Sequence, residues 1–223
     1  MRPEDWNFVD ELAALDDRII PFWGVHPWYA DKLEEGWERE FEGFLKDRRG
    51  GIGEIGLDKA RPGNGLDRQI KIFRQQLEIA GRLSRPMAIH CVQAWGDLVR
   101  ILREDVGSAA RFMIHSYRGS VETLRELVKL GAYISFSWKW LRAGTPDMMA
   151  LVREVPDDRL LLETDFPYTE PGKIGEGADA GKYFECLDGV YRIAARARNM
   201  DETVLQEKVF KNGTAFLSGA SAR

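Results

Sequence analysis

Glu54, His90, His115 and Asp165 close, or directly follow, four short apolar runs: GGIGE, PMAIH, RFMIH and LLLET. Each run is followed by a stretch patterned as helix. A Glu, two His and an Asp at the C-terminal ends of successive strands is how a barrel gathers a metal site from distant parts of its chain. The chain holds only three histidines, and two of them occupy these positions. Imidazole nitrogens and carboxylate oxygens suit Mg²⁺, Mn²⁺ or Zn²⁺, and positions left open on such an ion can hold water and substrate.

Taken singly, each residue has a plainer reading. A histidine at a strand end is usually a hydrogen-bonded structural residue. Glu54 could cap a helix or pair with a cation, and Asp165, with Thr164 before it and Pro167 two residues on, fits a turn or an N-cap. The four together at matching strand ends favour a metal site, and the glycines around Glu54 allow close backbone approach. His26, in VHP, has two open readings: a pocket residue that touches substrate, or a residue that fixes a turn with Pro27. Of the seven tryptophans, Trp6 and Trp37 sit at core spacing on helices. Trp138 and Trp140 flank Lys139 after a strand end, where they could stack on a base.

The elements that must position these groups alternate between helix and strand patterns, the mark of a parallel sheet with crossover helices. We expect six strands, near residues 19–25, 51–55, 86–90, 111–115, 132–136 and 159–164. Helices are expected around Trp6–Ala13, over Leu33–Leu45, on the face of Ile70, Phe73, Leu77 and Ala80, and near 94–105, 120–130, 145–154, 182–198 and 201–217. The irregular stretch from Pro167 to Gly181 follows Asp165 and is placed to face a substrate or to run over the surface. With 223 residues, 44% of them hydrophobic, residues 1–223 fit a single α/β domain. A net charge of −4 excludes a bulk positive field that would coat a polyanion, although bound metal ions can still meet phosphates. Two cysteines, Cys91 and Cys186, make no disulfide framework, and Cys91 reads as a small buried residue facing away from the ligands. No membrane-length apolar run or secretory signal is visible, so the expected location is the cytoplasm.

Several strings, in order, resemble the TatD family of metal-dependent deoxyribonucleases within the amidohydrolase-type TIM barrels. They are GVHPW at 24–28, GEIGLD at 53–58, IHC at 89–91, IHSYRGS at 114–120, ISFS at 134–137 and ETDFPY at 163–168. Between them lie Gln69, Phe73, Gln76, Leu77 and Ala80, and Asn212 in KVFKNGTAFL falls at the family's late Asn. The resemblance implies a TIM-barrel (β/α)8-type fold, of which about six strands are visible. It also implies a divalent-metal phosphodiesterase holding one or two Mg²⁺, Mn²⁺ or Zn²⁺ ions and acting transiently on DNA. One metal position would use Glu54, His90 and His115. The other would use Glu54, Asp165 and two histidines of a His-x-His on the first strand. Asp165 would be the catalytic base and His26 a substrate-binding residue.

The chain departs from the pattern in having no His-x-His. The family's first two strands are expected to be missing, making an N-terminally incomplete barrel, with a misplaced start as the favoured explanation. The family's Arg-Asn-Glu-Pro segment is not recognisable around 172–182. Two other functions share these observations. One is hydrolysis of an ester or amide, such as a D-aminoacyl-tRNA; the other is a truncated, catalytically silent barrel.

Overall fold

Short runs of β-branched and apolar residues alternate with amphipathic helices throughout, and the computed structural model follows that alternation over the residues it describes, 1–60, 65–166 and 180–218. The strands are β1 (Phe22–Trp23), β2 (Gly51–Asp58), β3 (Met87–Val92), β4 (Phe112–Ile114), β5 (Tyr133–Ser137) and β6 (Leu160–Glu163). The helices are α1 (Trp6–Ala13), α2 (Trp37–Leu45), α3 (Leu66–Arg82), α4 (Trp95–Asp105), α5 (Val121–Lys129), α6 (Trp138–Leu141), α7 (Pro146–Glu154), α8 (Ala180–Arg198) and α9 (Glu202–Leu217). All six expected strands form. The first is much shorter than its apolar run, because Arg18 to Pro21 lie outside the ladder and only Phe22 and Trp23 pair with Gly51 and Ile52. The helix expected from Leu33 begins only at Trp37, after Gly36 takes the left-handed conformation. The loop singled out after Asp165 lies, from 167 to 179, outside the described residues.

The chain groups into two compact units. The first comprises residues 1–114, 129–132 and the end from 216; the second comprises 115–128 and 133–215. In the first unit β1 to β4 pair in chain order, every pairing parallel. Parallel strands covered by helices read as continuous apolar runs, and Ile52, Ile55, Leu57, Ile89, Phe112 and Ile114 are fully buried. Helix α3 covers this sheet through Ile72, Phe73, Leu77 and Ile79, each worth roughly 1.5–3 kcal/mol when removed from water. Trp6 and Trp37 flank Phe41 at centroid separations of 4.6 and 6.0 Å, which places both tryptophans in the core, as their helical spacing suggests.

In the second unit β5 and β6 pair in parallel, Ile134 against Leu160 through Ser137 against Glu163. Helix α7 starts with Thr145 capping the Met148 N–H and Pro146 in the first turn. Arg198, at the end of α8, donates to the carbonyls of Val152 and Val155 and pairs with Asp157. Asn212 of α9 donates to the carbonyls of Asp157 and Leu160, 2.8 and 2.9 Å away, and so ties the start of β6 to the last helix. That is a structural role for the late Asn of the motif.

Candidate metal centre

In the first unit, Glu54 sits where the β2–β3 register shifts, between Ile52 and Ile55. A bulge of this kind re-aims one side chain, and here it turns Glu54 to the same end of the sheet as His90. The neighbouring glycines are required by space. A Cβ on Gly53 would lie 2.7 Å from the Ala88 methyl. A Cβ on Gly56, which has φ +137°, would lie 2.0 Å from the His90 carbonyl oxygen. GEIG is therefore a pattern dictated by the close approach of β2 to β3 at His90.

Glu54 Oε2 lies 3.6 Å from His26 Nε2 and 3.6 Å from His90 Nδ1. These three residues can bring one ligand atom each to within 4.8 Å of one another. Two atoms bound at about 2.1 Å to one tetrahedral ion stand about 3.4 Å apart, so the spacing fits a divalent cation better than a direct hydrogen bond. The chemistry of the donor set, imidazole nitrogen with carboxylate oxygen, fits as well.

The two histidines are nevertheless not equivalent. His26 caps the turn that follows it, its Nδ1 accepting the Trp28 N–H at 3.2 Å. A neutral imidazole that accepts at Nδ1 carries its proton on Nε2, the atom facing Glu54. His26 is thus arranged as a donor, whereas His90 turns Nε2 to Asp58 Oδ2 at 3.1 Å and leaves Nδ1 toward Glu54.

Asp58 is only 3% exposed. Burial pushes its carboxyl up, but hydrogen bonds from His90, Trp28 Nε1 (2.7 Å) and the Ala60 N–H (2.8 Å) outweigh that, and it lies below the usual carboxylate range. Its backbone is held in turn by Gln69 of α3, which accepts from the Asp58 N–H at 2.8 Å and donates to the Asp58 carbonyl at 2.9 Å. Gln76, two turns on, makes the same double bond to Val25, next to His26. Cys91 points away from this cluster. Burial pushes its thiol up to about 12, against a weaker hydrogen bond from the Ala94 backbone, so it is inert at neutral pH.

In the second unit, His115 Nε2 lies 3.5 Å from Asp165 Oδ1, again a ligand-to-ligand spacing. His115 Nδ1 turns to Glu163 at 3.0 Å, and Glu163 Oε1 also accepts the Ser116 N–H at 2.7 Å. Ser116 and Asp165 both hold left-handed backbone, φ 47° and 56°. Such conformations cost about 1–3 kcal/mol for ordinary residues and cluster at binding sites. Ser116 is further held by its hydroxyl, 2.7 Å from that of Ser137.

His26, Glu54 and His90 lie together in one unit, and His115 and Asp165 lie together in the other. The expected strand ends at 55 and 90 are not where β2 and β3 stop: Glu54 and His90 lie inside strands that run on to Asp58 and Val92, while His115 and Asp165 follow β4 and β6. Sequence reasoning quoted Gln69 and Gln76 only as part of the motif and gave no role to them, nor to Asp58 and Glu163. The signal for the glutamines was available, because both are polar residues on the core-facing side of α3. Trp138 is half-buried and packs against Gly189, where a Cβ would meet its ring at 2.3 Å, so packing accounts for that contact. Trp140 carries the Arg118 guanidinium 3.7 Å above its ring.

A parallel sheet that brings His and carboxylate side chains to 3.5–3.6 Å of one another has the makings of a metal-dependent hydrolase site, and comparison with known proteins gives that class. The chain belongs to the TatD related DNase family, whose profile matches residues 1–218. It is 31% identical to the 3′-5′ ssDNA/RNA exonuclease TatD of Edwardsiella piscicida over 85% of this chain and 74% of that protein. It is 35% identical to the uncharacterized metal-dependent hydrolase YabD of Bacillus subtilis over 72% of this chain, spanning 64% of YabD's length, just under two thirds. Among solved structures, the TatD homolog YjjV from Escherichia coli K12 superposes with a TM-score of 0.82 at 22% identity. That match covers 96% of this chain and 82% of the other. The fold is thus the α/β fold of a TatD-type TIM barrel, with six parallel strands among the described residues.

Proposed function

We propose that this chain is a divalent-metal-dependent hydrolase that cleaves phosphodiester bonds, with DNA as its transient substrate. The observation that carries the reading is the pair of nitrogen–oxygen spacings, one in each unit. His90 Nδ1 stands 3.6 Å from Glu54, and His115 Nε2 stands 3.5 Å from Asp165. Glu54, His90, His115 and Asp165 would hold Mg²⁺, Mn²⁺ or Zn²⁺, one or two ions per chain. A bound ion of this kind lowers the pKa of water and offsets charge on phosphoryl oxygens. Asp165 would accept the proton of the attacking water, and His26 would donate from Nε2 to a non-bridging phosphoryl oxygen. The name of the Edwardsiella relative, a nuclease, favours nucleic acid over an aminoacyl ester. The family match runs through both units, which supports reading 1–223 as one hydrolase domain. No helix among the described residues is long and apolar enough to cross a membrane, and both cysteines are free and buried, in keeping with a reducing cytoplasm.

The test supplies Mn²⁺ and offers, in parallel, a single-stranded oligodeoxynucleotide and an aminoacyl ester. Hydrolysis of the oligonucleotide alone is expected, falling at least 100-fold in His90→Ala and His115→Ala. Turnover of the ester alone would replace the phosphodiesterase reading by the acyl one. Unchanged metal uptake and hydrolysis in both variants would sink the site assignment.

A further inference from the structure

A carboxylate stands behind each of the two ligand histidines, and the two histidines are turned in opposite senses. Asp58 Oδ2 lies 3.1 Å from Nε2 of His90, while Glu163 lies 3.0 Å from Nδ1 of His115. A carboxylate offers only acceptors, so the imidazole proton belongs on the nitrogen that faces it. We infer that Asp58 and Glu163 are positioning residues that set the tautomer of their histidines, opening Nδ1 of His90 and Nε2 of His115 as ligand atoms. This rests on the metal-hydrolase reading of the same site. The open nitrogens are those directed to Glu54 at 3.6 Å and to Asp165 at 3.5 Å, so tautomer and ligand direction agree in both units.

Each carboxylate is itself fixed by donors that leave it no freedom to serve otherwise. Trp28 Nε1 and the Ala60 N–H hold Asp58, and Gln69 holds its backbone. The Ser116 N–H holds Glu163. A carboxylate pointed at the outer nitrogen of a ligand histidine orients the ring and strengthens its basicity. The two GEIGLD and ETD strings thus each carry a ligand and, nearby, the residue that aims a histidine: Glu54 with Asp58, and Asp165 with Glu163.

Glu163→Gln discriminates this role from simple packing. Both Glu163 oxygens lie 3.0 Å from His115 Nδ1 and Oε1 also accepts the Ser116 N–H, so an amide whose oxygen stays on Ser116 sets its NH₂ against the ring nitrogen. If its NH₂ faces the ring, His115 must accept at Nδ1 and carry its proton on Nε2. Nitrogen-15 NMR of the imidazoles in the metal-free protein reads this directly, and with three histidines in the chain the signals are assigned by single substitutions. In the wild type we expect the proton on Nε2 of His90 and on Nδ1 of His115. In Glu163→Gln the Nδ1–H form of His115 should be lost, His90 should be unchanged, and Mn²⁺ affinity should fall roughly 10–100-fold. In Asp58→Asn the amide oxygen can still accept from His90, so that histidine should keep its tautomer.

The opposite tautomer at either histidine of the wild type overturns the inference, whatever the variants do. So does a Glu163→Gln protein with wild-type tautomers and Mn²⁺ affinity within about threefold. Because the NMR readout needs neither metal nor substrate, a chain that hydrolyses no phosphodiester yet shows these tautomers would refute only the functional reading.

Discussion

Replacing Gln69 by Leu removes the partners of both backbone groups of one buried residue, the Asp58 N–H and C=O, while keeping the side-chain volume close. Gln69 is 1% exposed, and its amide satisfies the N–H and the C=O of Asp58 at 2.8 and 2.9 Å. Leaving a buried backbone group without a partner costs about 1–3 kcal/mol, so two groups cost about 2–6 kcal/mol. Burying an apolar Leu in place of an amide returns roughly 1–2 kcal/mol. At the midpoints of these ranges the net expected loss is about 2.5 kcal/mol, a large share of the 5–15 kcal/mol typical of a domain. Urea unfolding, extrapolated linearly, should show a lower midpoint with an unchanged slope. The effect should also reach the site, because Asp58 is the residue that faces His90 Nε2, and Mn²⁺ affinity should weaken with stability. A variant within about 0.5 kcal/mol of the wild type and with full Mn²⁺ affinity would refute the claim that α3 positions the end of β2 through this amide.

Three further outcomes are expected. His26→Asn keeps a side-chain acceptor for the Trp28 N–H but removes Nε2; it should leave Mn²⁺ affinity within about threefold and lower oligonucleotide turnover roughly 10²-fold, as loss of one transition-state donor does. An equal fall in metal affinity would make His26 a ligand instead. Arg198→Ala removes the cation that binds the Val152 and Val155 carbonyls and Asp157, and should destabilise by about 2–4 kcal/mol in thermal or urea unfolding, with no change in tautomers at His90 or His115. Asp157, paired first with Lys208 and then with Arg198, lies below the usual carboxylate range. A depressed folded pKa contributes stability above the unfolded value, near 3.9, that is lost as pH falls through the folded one. The wild type should therefore lose more stability than Asp157→Asn on acidification below about pH 4, and equal losses would contradict the pairing.

Much of this candidate site was legible in the sequence because its residues interrupt or close short apolar runs. RFMIH ends on the residue that follows β4, whereas PMAIH stops at His90 although β3 pairs on to Val92, so the run marks the strand but not its end. The glycines of GEIGLD were legible as well, since a chain packed tightly against His90 admits no Cβ at residue 56. What the pattern could not carry was partnership across the chain. Nothing in the string GEIGLD says that Asp58 meets Trp28 and His90, 30 and 32 residues away in opposite directions. Nor does ETD alone show that Glu163, rather than Asp165, takes the outer nitrogen of His115. His26 stayed ambiguous because its role depends on which nitrogen caps Trp28, a matter of ring orientation. The shortness of β1 was hidden because RIIPFWGV is apolar throughout, while ladder pairing reaches only Phe22 and Trp23.

The most direct test of the central claim is Mn²⁺ binding to the metal-stripped protein by calorimetry, wild type beside Glu54→Gln, His90→Ala, His115→Ala and Asp165→Asn. The account predicts saturable binding by the wild type and at least a tenfold loss of affinity in each of the four variants. Binding that is absent in the wild type, or unaltered by all four substitutions, would contradict it.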